Sequence, residues 1–395
     1  MLDPPKPDDV QRLMRYRGFP AVSILIPTEG PGETYTQNPI RLKNALRQAE
    51  QALNAAGVKT PEIERLLAPA QSLFDDPSYW MKQGRSLALY LGQGIFQAQR
   101  LAIAVDEQVL VNDRFQIKPL LPALQTGGDF YVLALSQNQV RFFEATRHSI
   151  RPVAVEGMPT SRAEALPYED PEKQLQFHTR TQNRRGERDA VFHGHGVGDD
   201  DEKDTLLRFC RRVDEGLGKA IRGSPAPLVL AGVEYLHPIY RQANSYPNLL
   251  REGIHGNPEE MQPRELHRRA WELVRTVFER QLEEIFQRHH TLGEKGLASN
   301  DLRAILPAAY YGRVATLLVA LDRELWGQFD PEHNTLQLHS AYQPGRSDDL
   351  LDQAVVQTWA NNGRIYVLPA EHMPDGNHVA AIFRYPVDPQ TLVKP

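Results

Sequence analysis

A polar segment at residues 176–200 contains side chains that could bind phosphate. The eleven residues from His178 to Arg188 include four arginines and one acid, Glu187. The arginines are Arg180, Arg184, Arg185 and Arg188. Guanidinium groups form forked hydrogen bonds with phosphate, and a long polar loop within a compact domain is usually functional. The segment therefore predicts a partner that carries phosphates, although an ordinary solvated loop is the alternative interpretation.

The same segment contains the candidates for acid–base chemistry. They are Gln176, His178, His193 and His195. These side chains could position a water molecule or exchange a proton with a substrate. The spacing of His193 and His195 matches no zinc motif, so no metal site is predicted. The phosphate-loop pattern G-x-x-x-x-G-K-[ST] is missing, and no cofactor is predicted.

A helix is predicted to follow the polar segment, over residues 201–222. On a helical wheel one stripe is apolar and the opposite face is basic. The apolar stripe contains Leu206, Cys210, Val213, Leu217, Ala220 and Ile221, and the basic face contains Arg208, Arg212 and Lys219. The stripe should bury Cys210 as inert packing. The basic face is either solvated, as on many surface helices, or offers guanidinium groups to phosphate.

The composition indicates a globular protein of two or three domains. The chain has 395 residues, 41% of them hydrophobic, and a net charge of -5. A basic character throughout, as in simple nucleic-acid binders, is therefore absent, and RNA contacts must be local. A single cysteine excludes an intramolecular disulfide. No signal peptide or membrane span is recognisable, so we expect a soluble, cytoplasmic monomer with no membrane partner.

Strands alternate with helices along the chain, which predicts an α/β fold. Ser299 is expected to cap a helix that carries Leu302 and Ile305. The predicted strands are 21–27, 86–91, 130–135, 140–144, 228–232, 316–320, 365–368 and 379–385. The predicted helices are 9–16, 39–56, 61–74, 201–222, 263–289 and 350–361.

The order of these elements resembles the archaeo-eukaryotic class-I release factor and Pelota superfamily. Within it, the chain is most similar to the bacterial archaeo-eukaryotic release factors, a branch that includes a ribosome hibernation factor. The resemblance rests on segments in all three thirds of the chain: Val22–Pro27, Ser86–Gly92, Leu206–Arg212, Leu228–Gly232, Gly312–Ala320 and Asp375–Tyr385.

The resemblance implies three α/β domains. Residues 1–118 would form a release-factor-like N-terminal domain, and residues 119–290 an RNase H-like middle domain with the extended loop 176–200. Residues 291–395 would form a C-terminal α/β/α domain of the Pelota type, which is similar to ribosomal proteins that bind kink-turn RNA.

The family motifs are altered in this chain. Release factors place a Gly-Gly-Gln loop before the long helix of the middle domain, whereas this chain reads His193-Gly-His195-Gly there. The resemblance therefore does not extend to peptide release, and we lean against enzymatic activity. The family's codon-reading motif is replaced by Gly57-Val-Lys59-Thr60, where Lys59 and Thr60 could still contact RNA or simply form a turn between helices.

The resemblance implies a translation factor that binds the ribosomal A site and acts in ribosome hibernation, rescue or quality control. Ribosomal RNA, tRNA and a translational GTPase are the implied partners. The implied RNA-binding residues are Arg180, Arg184, Arg185, Arg188, Arg208, Arg212, Lys59 and Thr60. Two alternatives stay open: a peptidyl-tRNA hydrolase or tRNA nuclease that uses the middle-domain loop, and an adaptor that binds another protein.

Overall fold

The computed structural model describes residues 5–29, 36–123, 128–147, 149–167 and 197–386. The described residues form two compact units. Unit 1 consists of Met1–Gly127 together with Glu279–Pro395, and unit 2 is Gly128–Phe278. The α/β fold class is confirmed, while the division into three domains at residues 118 and 290 stays a prediction.

The N-terminal part of unit 1 is a four-stranded antiparallel sheet with two long helices on one face. The sheet order is β3-β2-β1-β4. Its strands are β1 (Ala21–Pro27), β2 (Ser86–Gly92), β3 (Ile95–Leu101) and β4 (Gln108–Asn112), and its helices are α1 (Pro7–Arg15), α2 (Gln37–Ala55), α3 (Thr60–Gln71) and α4 (Pro77–Trp80). Apolar residues at helical spacing on α2 pack against β1 and β2, which buries Leu42, Leu46 and Leu53.

Unit 2 is a five-stranded mixed sheet in the order β7-β6-β5-β8-β9. The strands are β5 (Phe130–Leu135), β6 (Val140–Ala145), β7 (Ile150–Val153), β8 (Leu228–Gly232) and β9 (Ile254–His255). The helices that begin in this unit are α5 (Arg162–Ala165), α6 (Val197–Ala220), α7 (Leu236–Ala243) and α8 (Pro263–Gly293). Strands β5, β8 and β9 are parallel, so both faces of this sheet are covered and its strands are nearly all apolar.

The C-terminal part of unit 1 contains two further sheets. Their orders are β10-β16-β11-β15 and β13-β12-β14. The strands are β10 (Ala298–Ser299), β11 (Val314–Ala320), β12 (Trp326–Asp330), β13 (Thr335–Leu338), β14 (Asp348–Asp349), β15 (Arg364–Leu368) and β16 (Val379–Phe383), and the helices are α9 (Leu302–Tyr310) and α10 (Leu350–Ala360).

The expected cap at Ser299 is wrong. Ser299 lies in β10, where it pairs with Ala381 of β16. The Asp301 side chain caps α9 by accepting a hydrogen bond from the Arg303 amide. Aspartate and serine cap helices about equally well, so the position of the first helical turn decides between them.

The two parts of unit 1 share one hydrophobic core. Tyr90 and Phe115 from the N-terminal part are buried in the same cluster as Leu306, Leu317 and Leu350 from the C-terminal part. The edge strand β4 is also covered, because the Val111 carbonyl accepts hydrogen bonds from the Tyr342 hydroxyl and the Gly345 amide. Burial of this many apolar side chains is the main stabilising contribution to unit 1.

A charged cluster lies inside this shared core. Lys118 and Asp349 are both nearly fully buried, and the Lys118 Nζ lies 3.2 Å from the Asp349 Oδ2. Gln116 donates a second hydrogen bond to the same oxygen at 2.8 Å. Asp352, also buried, accepts hydrogen bonds from the Ile117 and Lys118 amides. One lysine and two carboxylates therefore join segments that are more than two hundred residues apart in the chain.

Candidate RNA-binding face of helix α6

Helix α6 packs onto the unit 2 sheet through the apolar stripe that the sequence predicted. Five of the six predicted residues are at most 4% exposed, and Ala220 alone is exposed. The buried residues are Leu206, Cys210, Val213, Leu217 and Ile221. They share a cluster with Leu133 of β5 and Leu230 of β8. The orientation of the helix is therefore fixed by its packing.

Cys210 is inert packing, as predicted. Its side chain is fully buried. Burial disfavours the thiolate and raises the pKa of the Cys210 thiol to about 12. The thiolate is the nucleophilic form of cysteine, so this residue does not serve as a nucleophile at neutral pH.

Two further contacts hold α6 in place. Asp214 is buried, and its Oδ2 accepts hydrogen bonds from the Ser245 hydroxyl at 2.7 Å and the Ser245 amide at 3.1 Å. Gly216 lies against the backbone of residues 157 and 158: a Cβ at Gly216 would be 2.5 Å from the Met158 Cα and 2.8 Å from the Gly157 carbonyl oxygen. The helix thus approaches a neighbouring loop more closely than any side chain allows.

Replacing Gly216 with alanine is expected to lower the free energy of unfolding by about 1–3 kcal/mol, since the atoms that a methyl group would meet are backbone atoms that cannot rotate away. Gly218→Ala is the matched control. A Cβ there meets only the Ser245 Oγ at 3.7 Å, so it should stabilise the helix by up to about 1 kcal/mol. Urea unfolding measures both effects. Equal stability of the two variants would show that Gly216 does not set the packing distance.

The opposite side of α6 carries an exposed cluster of positive charge. We call the five side chains Arg208, Arg211, Arg212, Lys219 and Arg222 the α6 cationic face. All five are exposed, and two exposed acids, Asp204 and Glu215, accompany them, which gives a net charge of five minus two, or +3. From the first to the last of these cations the chain advances by about 21 Å at 1.5 Å per residue. A strongly basic surface thus stands on a chain whose total charge is -5.

Local ion pairs leave most of this charge available. Glu215 lies 3.6 Å from Arg212 and 3.9 Å from Lys219, and the three side chains are 58–65% exposed. Arg208 donates a hydrogen bond to the Thr205 hydroxyl at 3.2 Å. Solvent-exposed ion pairs of this kind are weak, so a phosphate can compete with Glu215 for its partners.

The structure places the other predicted site residues as follows. Lys59 and Thr60 are exposed: Lys59 ends the turn between α2 and α3, where Gly57 adopts a φ of +83°, and Thr60 begins α3. The Lys59 carbonyl accepts from the Glu62 amide. The remaining candidates lie outside the described residues: Gln176, His178, Arg180, Arg184, Arg185, Arg188, His193 and His195.

Arg211 and Arg222 were missed by the sequence prediction. Arg211 lies within 40° of the direction opposite Leu206 on the same helical wheel, and Arg222 lies just beyond the end of α6 at Ala220. The signal for Arg211 was therefore present in the sequence.

The described residues contain no candidate metal site and no candidate membrane-spanning helix. None of their histidine, cysteine, aspartate and glutamate side chains come together in a group of three or more that could hold a metal ion. In the described part of the chain we also find no helix with the length and apolarity needed to cross a bilayer.

Residues 130–276 match the family model of Bacterial archaeo-eukaryotic release factor family 7. This segment begins at β5, includes α6 and extends into α8. The resemblance predicted from the sequence is therefore confirmed for this segment, which is similar to the bacterial archaeo-eukaryotic release factors. No curated protein matches the chain.

Solved structures of similar proteins include translation termination factors and their relatives. S. cerevisiae Dom34, a translation termination-like factor that interacts with Hbs1, is 12% identical with a TM-score of 0.39, over 78% of this chain and 75% of its own. Archaeoglobus fulgidus Pelota is 11% identical with a TM-score of 0.30, over 98% and 95%. The archaeal translation termination factor aRF1 is 13% identical with a TM-score of 0.22, over 95% and 96%. At these scores nothing about activity follows from the likeness.

Proposed function

We propose that this protein is a ribosome-binding translation factor of the release-factor and Pelota type. It would occupy the ribosomal A site in hibernation, rescue or quality control, as a monomer, with a translational GTPase as a further partner. The observation that carries the proposal is the α6 cationic face, because it lies within the segment that matches a bacterial release factor family.

The α6 cationic face suits ribosomal RNA or tRNA as a ligand. Four of its five cations are arginines, whose guanidinium groups bind phosphate in a forked geometry. The Asp214 contacts and the close packing at Gly216 hold the helix on the sheet, so the cost of ordering its backbone is not part of the cost of phosphate binding.

Peptide release is not part of the proposed activity. The full sequence contains no Gly-Gly-Gln motif, so the glutamine that positions the attacking water in release factors has no counterpart. The proposed role is occupation of the A site without cleavage of peptidyl-tRNA.

A pelleting assay with bacterial ribosomes tests the proposal. In the variant Arg211→Gln/Arg212→Gln/Lys219→Gln we expect ribosome affinity to fall about ten- to a hundredfold, and the slope of log affinity against log salt to decrease by about two to three, because each lost phosphate contact releases fewer counterions. The salt series should run from roughly 50 to 200 mM.

The matched control changes the same amount of charge elsewhere on unit 2. Arg251→Gln/Arg264→Gln/Arg268→Gln neutralises three exposed arginines that lie outside α6. This variant should keep its ribosome affinity to within about threefold. If both variants lose the same ribosome affinity, total charge explains the loss and the α6 cationic face is not the binding site. If the unchanged protein does not bind ribosomes at low salt, the proposed function is wrong.

A further inference from the structure

Unit 1 presents a row of cations that only its strand order brings together. In the sheet β10-β16-β11-β15, a basic residue stands at the same end of every strand. Lys295 precedes β10, Arg384 follows β16, Arg313 precedes β11, and Arg364 begins β15. Neighbouring strands lie about 4.8 Å apart, so the four strands span about 14 Å. Arg384 is level with Arg313, whereas Arg364 pairs with Thr316, further along β11. We call these four residues the sheet-edge cations.

Three exposed tyrosines accompany the sheet-edge cations. Tyr310 and Tyr311 end α9 and are 41% and 53% exposed, and Tyr385, which follows Arg384, is 50% exposed. The Tyr310 and Tyr311 rings meet edge to face, with centroids 5.2 Å apart. The Arg313 guanidinium carbon lies 5.9 Å from the centre of the Tyr311 ring, within the range of cation–π attraction.

Hydrogen bonds fix this surface to the fold. The Arg384 amide donates to the Arg313 carbonyl, and the Arg384 guanidinium donates to the Asn361 carbonyl, both at 2.8 Å. The Asn361 side chain in turn donates to the Ala309 carbonyl at 3.0 Å. Gly312 has a φ of +71°, which permits the sharp turn from α9 into β11. Arg384 and the backbone around Arg313 are therefore held in place before any ligand binds.

The charges around the surface favour a polyanion. The Arg384 guanidinium is bound by a carbonyl oxygen, and no ion pair of Arg384 is seen among the described residues. The Tyr311 hydroxyl donates a hydrogen bond to the Pro331 carbonyl at 3.2 Å. The residues on either side of Pro331 are the nearby acids Asp330 and Glu332. Asp330 is already engaged by the His333 ring at 2.6 Å. Glu294 is the acid next to Lys295.

We propose that the sheet-edge cations and the three tyrosines form a binding surface for single-stranded RNA. Cations that follow the phosphate backbone, combined with aromatic rings on which unpaired bases stack, are the combination that binds single strands without reading their sequence. An acidic protein is the alternative ligand, since tyrosine and arginine are also common in protein interfaces, and competition with polyglutamate distinguishes the two. This surface belongs to unit 1 and is independent of the α6 cationic face, so it does not rest on the function proposed above.

The experiment uses the full-length chain carrying Arg211→Gln/Arg212→Gln/Lys219→Gln, which removes most of the α6 contribution. The probe is a fluorescein-labelled single-stranded RNA of mixed sequence, about 12 nucleotides long, a length within the usual site size of such surfaces. Fluorescence anisotropy gives the dissociation constant. We expect Arg364→Gln/Arg384→Gln to weaken binding at least about tenfold, and Tyr311→Leu/Tyr385→Leu to weaken it at least about fivefold, since each stacked base contributes roughly 1–3 kcal/mol.

Two controls separate this proposal from its alternatives. Arg303→Gln/Arg346→Gln removes two exposed arginines from other places in unit 1 and should leave RNA binding within about twofold. Unlabelled polyglutamate should compete far less well than unlabelled RNA. The proposal is overturned if the starting protein does not bind the probe, if the tyrosine variant binds as tightly as its parent, or if polyglutamate competes as well as RNA. Thermal unfolding of each variant confirms that it is folded.

Discussion

Replacing Lys118 with methionine is expected to lower the free energy of unfolding of unit 1 by about 3–5 kcal/mol. The lysine is 1% exposed, and its ammonium group lies 3.2 Å from the Asp349 carboxylate. Methionine has a similar shape but no charge, so it leaves the buried Asp349 carboxylate without its lysine partner. Breaking a buried pair from one side is costly because the desolvated charge remains.

The measurement is urea unfolding followed by tryptophan fluorescence. Three of the four tryptophans, Trp80, Trp326 and Trp359, lie in unit 1. Trp271 lies in unit 2, so a Trp271→Phe background reports on unit 1 alone. Lys82→Met, at an exposed lysine of the same unit, should change stability by less than about 0.5 kcal/mol. If Lys118→Met were as mild as Lys82→Met, the buried cluster would contribute nothing to the joining of the two parts of unit 1.

Replacing Asp352 with asparagine is expected to stabilise the protein at pH 8 and to leave it little changed near pH 4. Burial and, to a lesser extent, the nearby Asp349 carboxylate raise the pKa of Asp352 to about 7, against the opposing effects of Lys118 and two backbone amides. In the unfolded chain an aspartate has a pKa of about 3.9. Between these two values the folded protein keeps a proton that the unfolded chain has lost, so the stability from Asp352 falls as pH rises from about 4 to 7.

Asparagine does not titrate and still offers an oxygen to the Ile117 and Lys118 amides, so the variant escapes this loss. A pKa difference of about three units corresponds to roughly 4 kcal/mol, and water that enters the cluster would reduce the gain to about 2 kcal/mol or slightly more. Urea midpoints recorded from pH 4 to pH 8 should diverge from those of the unchanged protein as pH rises. Glu107→Gln, at an exposed carboxylate, is the control. Parallel curves for Asp352→Asn and the unchanged protein would contradict the assigned shift.

Local patterns in the sequence predicted the elements that pack against a core. Strands β1 and β8 have the predicted bounds, and the stripe of α6 is buried as expected, because alternation and helical spacing record burial directly. Strand β3 was missed: its residues, Ile95–Leu101, are mostly half-exposed and include polar side chains, so they carry no run of apolar residues. Its pairing with β2 depends on the tight turn at Gly94, which has a φ of +70°.

The candidate sites were less predictable because they depend on distant pairings. Lys118 meets Asp349 only after the two parts of unit 1 have associated, and no local pattern joins residues so far apart. The sheet-edge cations become a row only when the order of four strands is known. The α6 cationic face was partly predicted, since one helix contains all of its residues except Arg222, which follows the last turn.

The shared core of unit 1 has a consequence for biosynthesis. Chains emerge from the N-terminus, and domains tend to fold as soon as their residues are available. Unit 2 ends at Phe278, so it can finish folding while translation continues. The first 127 residues cannot, because the core that contains Tyr90 and Phe115 is completed by residues from the last third of the chain. A nascent chain therefore exposes an apolar surface until synthesis is nearly complete. During this interval a chaperone could bind that surface.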